Sequence, residues 1–161
     1  RLQSLTSQRF ETFWNQLTPS CTGKRLGIIG SEQPLNFDCL SHKHSCYFIS
    51  NSKDSLREAK SLGFNISTVL NTCYDIIVLE LTKSKETNLG LLALAEECLR
   101  ERGEIIINGD NQVGVRNFLK NISTDWPAEI TLIKKKGRIA LYQKKKTIIC
   151  TLEKISRFSY K

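Results

Sequence analysis

Lys83 and Lys85 are the residues of this sequence most clearly placed to do chemistry. They follow directly after its most continuous hydrophobic run, Tyr74 to Leu81. Such an unbroken run is typical of a strand buried on both faces of a parallel sheet. Because open α/β sheets bind ligands at the carboxyl ends of their strands, the spacing predicts that these two cations can meet phosphate.

Glu80 ends the same hydrophobic run, and the sequence leaves two interpretations of it. A carboxylate at this edge of a sheet is placed to serve in a cofactor or catalytic site. The alternative is a buried strand that leads into a solvated helix start, since a single acid at a strand end is common.

Positive charge is concentrated towards the C-terminal end. Residues 131–161 contain ten Lys or Arg and one acid, Glu153, whereas the whole chain carries +8, so the remainder is close to neutral. A basic end on a neutral body predicts a polyanion partner, most simply RNA or DNA. The alternative is a lysine-rich solvated edge, because lysines on an edge strand also discourage association between sheets.

Composition predicts a single globular domain. The 161 residues are 40% hydrophobic and 25% charged, which suits one domain with a core. No apolar run approaches the roughly 18 residues of a membrane span, and the start of the chain is not a signal peptide. We therefore expect a cytoplasmic protein with no membrane partner. The absence of methionine indicates a piece of a longer protein.

The cysteines and histidines do not predict a metal site. Six cysteines are scattered without a Cys-x-x-Cys pair, and His42 and His44 lie in a predicted loop. Cysteines within strand and helix patterns, such as Cys73 and Cys98, are more often small buried apolar residues than nucleophiles. We expect no metal and no catalytic cysteine.

Hydrophobic periodicity predicts five β-strands interleaved with helices, followed by a hairpin. The predicted helices are 2–17, 52–62, 87–102 and 115–121, and the predicted strands are 25–30, 45–49, 66–70, 74–81 and 104–108. Lys136-Gly137 is predicted to turn between strands 129–135 and 138–143. This order implies an α/β fold, a doubly wound, mostly parallel sheet with a C-terminal antiparallel hairpin and one antiparallel strand at its edge. Class I S-adenosylmethionine methyltransferases, which are Rossmann-like, share this arrangement.

The sequence departs from the pattern of a nucleoside site. Such a site needs glycines after the first strand and an acid after the second to hold the ribose hydroxyls. Here Gly27-Ile-Ile-Gly30 lacks a glycine-rich loop, and the second strand leads into Ser50-Asn51-Ser52, with Asp54 close by. An amino-methyltransferase also needs Asn/Asp-Pro-Pro-aromatic after the fourth strand, where this chain has Glu80-Leu-Thr-Lys83. We expect no cofactor-binding and no catalytic residue in this chain.

Residues 70–145 resemble the amino-terminal domain of small-subunit ribosomal RNA guanine-N2 methyltransferases. The family's Pro-Lys-x-Lys element is matched by Lys83 and Lys85, with Thr82 in place of the proline. Its Gly-Glu-Asn-x-x-Gly-x-Arg element is matched by Gly109, Asn111, Gly114 and Arg116, with Asp110 for the glutamate, and Lys136-Gly-Arg-Ile-Ala-Leu-Tyr142 follows. Found together and in this order, these elements are fairly specific.

The resemblance implies two tandem methyltransferase-like domains, of which the first supports folding and RNA binding and the second holds S-adenosylmethionine. Residues 1–145 would be the non-catalytic first domain, and 146–161 a basic tail or linker towards the C-terminal catalytic domain. The implied partners are that domain and ribosomal RNA or the small ribosomal subunit.

Four cations are the candidates for RNA binding: Lys83, Lys85, Arg116 and Arg138. The competing interpretation is that Gly109, Asn111 and Gly114 fix a loop and a helix start, with Arg116 pairing within the protein. Two other functions stay open. One is a free-standing methyltransferase that uses Glu80 or Asp110, and the other is a structural domain that meets a partner protein.

Overall fold

The hydrophobic run 74–81 forms the central strand of a seven-stranded sheet. The computed structural model describes residues 4–17, 23–30, 32–34, 39–40, 44–71 and 73–144. Its helices are α1 Leu5–Leu17, α2 Lys53–Ser61, α3 Lys85–Cys98 and α4 Val115–Ile122. Its strands are β1 Arg25–Ile29, β2 Ser45–Ile49, β3 Asn65–Ser67, β4 Tyr74–Glu80, β5 Leu99–Asp110, β6 Ile130–Lys134 and β7 Gly137–Gln143.

The strand order is β3-β2-β1-β4-β5-β7-β6. The strands β1 to β5 pair in parallel, and β7 runs antiparallel between β5 and β6. The predicted α/β fold, a doubly wound, mostly parallel sheet with a C-terminal hairpin, is confirmed. The antiparallel strand was expected at the edge, but β7 lies one place inside it and β6 is the edge strand.

Two apolar layers cover the two faces of the sheet. On one face, α1 and α2 pack through Phe10, Phe13 and Ala59 against residues that include Val78. On the other face, α3 and α4 pack through side chains such as Leu92 and Phe118 against Ile77 and Ile107. Because β4 and β5 are covered on both sides, their residues need not alternate between apolar and polar, which explains the unbroken hydrophobic runs.

The junction between α3 and β5 differs from the prediction. The helix was expected to continue to Arg102, but it ends at Cys98, and Leu99 is already extended and pairs with Tyr74 of β4. Arg100 forms an ion pair with Asp75, and Arg102 has φ +63°. Pairing with β4 therefore overrides the helical propensity of residues 99–102.

The hairpin turn is displaced by one residue from the prediction. Its central residues are Lys135 and Lys136, with φ +54° and +58°, and Gly137 belongs to β7. The third strand is also shorter than expected, Asn65–Ser67 rather than 66–70. The predicted tail 146–161 lies outside the described residues. Among the described residues, no helix is long and apolar enough to cross a membrane.

Candidate functional site: two clefts at the carboxyl edge of the sheet

The first cleft, which we call the switch-point cleft, lies at the carboxyl ends of the neighbouring strands β1 and β4. It has a volume of about 630 Å³, and its apolar walls include Ile29, Ile49, Val69, Leu91 and Leu94. Strand order reverses between β1 and β4. This is the place at which open α/β sheets bind their ligands.

Gly30 closes β1 at the rim of the switch-point cleft. It has φ +81°, and a Cβ added there would collide with the carbonyl oxygen of Glu80. Glycine is required because the backbone of β4 approaches this position closely, so the packing of the sheet accounts for it without a ligand.

The end of β2 presents hydroxyl and amide groups to the switch-point cleft. Ser50 and Asn51 line it, and Ser50 Oγ accepts a hydrogen bond from the Ser52 amide at 3.0 Å. Asp54 lies on α2 with its side chain 93% exposed and 3.6 Å from Arg57. It is not among the described lining residues. After β2 the described lining therefore offers a hydroxyl and an amide, and its two carboxylates, Glu32 and Glu97, come from the segment after β1 and from α3.

The second cleft, which we call the lysine cleft, lies between the start of α3 and helix α4. It has a volume of about 510 Å³ and is lined by Lys83, Lys85, Asn88, Val113, Gly114, Asn117, Phe118, Lys120 and Asn121. The described lining holds three ammonium groups and three side-chain amides, with no carboxylate. Across the described ranges, none of these lysines forms a side-chain ion pair. The lysine cleft is consequently a concave, positively charged surface.

Asn88 fixes the loop that carries Lys83. Its side chain is 2% exposed, and its Oδ1 accepts from the Thr82 amide at 2.8 Å. Its Nδ2 donates to the Thr82 carbonyl at 3.0 Å, and the Ser84 amide donates to Thr82 Oγ1 at 3.2 Å. The family pattern has proline at the position of Thr82, and proline has no amide hydrogen to donate. Here the Thr82 amide donates to Asn88, so hydrogen bonds between Thr82 and Asn88 fix the loop.

The structure brings two of the four predicted cations into the lysine cleft. Lys83 and Lys85 line it, and Lys120, which was not predicted, joins them. Arg116 is exposed in the first turn of α4, one helical turn before Lys120. Arg138 lies on β7, directly opposite Gly109 of β5, and is not among the described lining residues.

The three predicted loop residues have different roles. Gly109 lies within β5, so its assignment to a loop is wrong, and a Cβ there would lie 3.1 Å from Leu81 and Val115. Asn111 begins a short 3-10 helix, and its amide donates to the Lys136 carbonyl at 2.9 Å. Gly114 has φ +79° and links that helix to α4, as expected of a residue that sets a helix start.

Arg9 organises the carboxyl edge and was not identified from the sequence. It is fully buried on α1 and donates to Asn108 Oδ1 at 2.7 Å and to Asp110 Oδ1 at 2.6 Å. It also donates to the carbonyls of Lys134 and Lys135, at 2.7 and 2.8 Å. Asp110, which was considered for a catalytic role, therefore neutralises a buried guanidinium.

Burial raises the pKa of three further groups, Glu96, Cys46 and Cys98. Burial raises the pKa of Glu96 to about 7, while Lys144, with its Nζ 3.9 Å from Glu96 Oε1, opposes that rise. Burial raises the pKa of the Cys46 thiol to about 12. It also raises the pKa of the Cys98 thiol, so neither cysteine is an activated thiol. Cys98 is buried as expected, but the expectation for Cys73 is wrong, because it is exposed. The described part of the chain contains no group of three or more His, Cys, Asp or Glu side chains arranged to hold a metal ion.

The fold is similar to those of solved methyltransferases. The T. thermophilus 16S rRNA N2 G1207 methyltransferase, in complex with AdoMet and guanosine, has a TM-score of 0.71 and 18% identity, covering 89% of this chain and 39% of that one. The ribosomal protein L11 methylase of Lactobacillus delbrueckii subsp. bulgaricus has a TM-score of 0.68 and 13% identity, covering 87% and 79%. The magnesium protoporphyrin IX methyltransferase of Synechocystis PCC 6803, with bound SAM, has a TM-score of 0.61 and 11% identity, covering 87% and 78%.

These comparisons establish the fold. No protein-family model and no curated protein matches the sequence. The chain spans about two fifths of the length of the rRNA methyltransferase, since 39% of that chain is covered. At sequence identities of 18% and below, structural similarity establishes a shared fold but not a shared activity. The chain therefore has the Rossmann-like fold of class I S-adenosylmethionine-dependent methyltransferases.

Proposed function

We propose that this chain is the non-catalytic, amino-terminal domain of an rRNA guanine-N2 methyltransferase, which binds ribosomal RNA and supports a C-terminal catalytic domain. The observation that carries the proposal is the lysine cleft, with Lys83, Lys85 and Lys120 around one concavity and no carboxylate among its described lining residues. Cations gathered without acidic partners favour a polyanion.

The donors of the lysine cleft suit the phosphate groups of RNA. Lysine ammonium groups and asparagine amides are common donors to phosphate oxygens. Helix α3 begins at Lys85 after the N-cap Ser84, and α4 begins after Gly114, so two helix N-termini meet this cleft. The partial positive charge of a helix N-terminus adds to the attraction for an anion.

Cofactor chemistry is assigned to the C-terminal domain. The switch-point cleft offers Ser50 and Asn51 where a ribose-binding carboxylate is needed, and Gly30 is explained by the approach of Glu80. The sequence resemblance of residues 70–145 to the first domain of the rRNA enzymes supports the same assignment, and so does the likeness in fold to the 16S rRNA methyltransferase. The intact protein would hold S-adenosylmethionine outside this chain.

RNA binding by the lysine cleft is tested with the triple variant K83Q/K85Q/K120Q. A fluorescein-labelled RNA hairpin is titrated with protein over a series of KCl concentrations, and anisotropy gives the affinity. We expect weaker binding and a slope of log affinity against log salt that is smaller by about two to three units, close to one per lost phosphate contact.

The matched control is K53Q/R57Q/K60Q on α2. Helix α2 packs on the opposite face of the sheet through Ala59. The control variant therefore removes three exposed cations on the face opposite the lysine cleft. The control is expected to bind like the wild type. An affinity and a salt slope that are equal in the two variants would contradict the assignment to the lysine cleft, as would a wild-type chain that does not bind RNA.

A free-standing methyltransferase is the second candidate, and the switch-point cleft is the observation that favours it. Glu32 and Asn51 both line this cleft, so it retains polar groups among its apolar walls. A nucleoside in this cleft would be held by the Asn51 amide and the Glu32 carboxylate. Titration with S-adenosylmethionine separates this candidate from the first.

A further inference from the structure

The turn between β6 and β7 has an unusual sequence for its backbone conformation. Its two central residues, Lys135 and Lys136, have φ +54° and +58°. Two consecutive positive φ angles in a two-residue hairpin strongly favour Asn-Gly, Asp-Gly or Gly-Gly. Lysine at both positions is strained, because its Cβ crowds the backbone in the left-handed region.

Hydrogen bonds from Arg9 and Asn111 hold this strained turn in place. Arg9 donates to the carbonyls of Lys134 and Lys135, at 2.7 and 2.8 Å, and the Asn111 amide donates to the carbonyl of Lys136 at 2.9 Å. Gly137 leaves the space that Arg9 fills, because a Cβ there would collide with the guanidinium. The turn is thus anchored through its backbone carbonyls.

The side chains of the same three lysines are exposed. Within the part of the chain that the structure describes, Lys134, Lys135 and Lys136 form no side-chain ion pair or hydrogen bond. Asp110, which pairs with Gly137 next to the turn, forms an ion pair with Arg9. The turn therefore presents three consecutive exposed lysines that no described carboxylate pairs with.

The turn lies at the same edge of the sheet as the lysine cleft. Gly137 pairs with Asp110 at the carboxyl end of β5, and Asn111 starts the 3-10 helix that leads through Gly114 into α4. Lys136 is thereby connected to the wall of the lysine cleft by one short segment. Strain that persists because the surroundings enforce it is a feature of functional sites.

We propose that the turn Lys134-Lys135-Lys136 is a second RNA contact, which binds the phosphate backbone beyond the lysine cleft. The charge of Lys135 and Lys136 then explains why lysine occupies two positions with positive φ. This inference rests on the proposed function, since the RNA is the same ligand. Arg9 acts as a positioning residue through the carbonyls and does not contact the RNA.

The test is the variant K135N/K136G, which gives the turn the residues that its conformation favours while it removes two charges. We expect RNA affinity to fall roughly tenfold at low salt and the salt slope to fall by about 1.5 units. We also expect the melting temperature to rise by about 2 to 4 °C, because the strain is relieved. Binding and stability should thus move in opposite directions.

The variant K135R/K136R keeps both the charge and the strain, and it is expected to bind RNA within about twofold of the wild type. If K135N/K136G is more stable and binds RNA as the wild type does, the turn is not a contact, and the inference is overturned while the lysine cleft stands. If K83Q/K85Q/K120Q binds normally as well, the proposed function fails too.

Discussion

The guanidinium of Arg9 lies 2.6 Å from the carboxylate of Asp110, with the Arg9 side chain fully buried and the Asp110 side chain 39% exposed. This pair ties α1 to the end of β5, at a sequence separation of 101 residues. The same guanidinium also contacts the end of β6. Arg9 is thus the residue through which the first helix organises the carboxyl edge of the sheet.

Replacement of Arg9 by methionine is expected to lower the free energy of unfolding by about 2 to 4 kcal/mol, because buried polar groups are left without a partner, whereas the 39% exposed side chain of Asp110 is solvated. Asn108 and the carbonyls of Lys134 and Lys135 would lose their donor. Urea denaturation measures the change. Its control is R57M, which removes an ion pair that is 80% and 93% exposed and should change stability by less than about 0.5 kcal/mol. Losses of equal size in the two variants would contradict a structural role for the buried guanidinium of Arg9.

Gly30 and Gly114 make a matched pair of substitutions, since both have positive φ. A Cβ on Gly30 collides with the Glu80 carbonyl, whereas a Cβ on Gly114 meets nothing within 4 Å. G30A is expected to cost about 3 kcal/mol or more, and G114A about 1 kcal/mol. Thermal unfolding without ligand measures both. Equal, small losses would mean that Gly30 is not required by packing, and a role in ligand binding would then account for it.

The substitution N88A tests the hydrogen bonds between Asn88 and Thr82. The amide and carbonyl of half-buried Thr82 lose their partner, which should lower the free energy of unfolding by about 1 to 2 kcal/mol. RNA affinity should fall because Lys83 is held less firmly, while the salt slope should stay within about 0.3 units because no charge is lost. A reduced slope would indicate that the substitution displaces a lysine from the RNA.

Glu96 gives the fold a predictable dependence on pH. Its pKa is raised from 4.5 to about 7, so the native state binds a proton more tightly than the unfolded chain. The stability that the protonated Glu96 side chain contributes is therefore fully present below about pH 4.5 and is lost as the pH rises through about 7. At pH 8, E96Q should be more stable than the wild type by at most about 3 kcal/mol, and at pH 4.5 the two should be alike. Urea denaturation at both pH values tests this, and a difference that does not change with pH would refute it.

The architecture could be predicted because strands buried on both faces of a parallel sheet appear in the sequence as unbroken apolar runs. The runs around Ile77 and Ile106 are apolar because both of their faces are covered, and α2, Lys53–Ser61, lies within the predicted range 52–62. Residues 99–102 were assigned wrongly because a helical composition was overridden by pairing between β4 and β5, a contact that no local pattern reports.

The site was predicted only in part, for the same physical reason. Lys83 and Lys85 were found because they follow the central strand, and Gly114 because its pattern sets a helix start. Lys120 had one usable signal, its spacing of one helical turn from Arg116. Arg9 had none, because its partners lie about 100 residues away, and the positive φ of Lys135 contradicts its residue type.

Calorimetric titration of the 161-residue chain with two ligands tests the central claim, which is that this methyltransferase fold binds RNA and not the cofactor. S-adenosylmethionine is titrated first, and the RNA hairpin is then added to the same sample. We expect no heat from S-adenosylmethionine at millimolar concentration and saturable heat from the RNA. Micromolar binding of S-adenosylmethionine without RNA binding would contradict the account, and the switch-point cleft would then be the functional site.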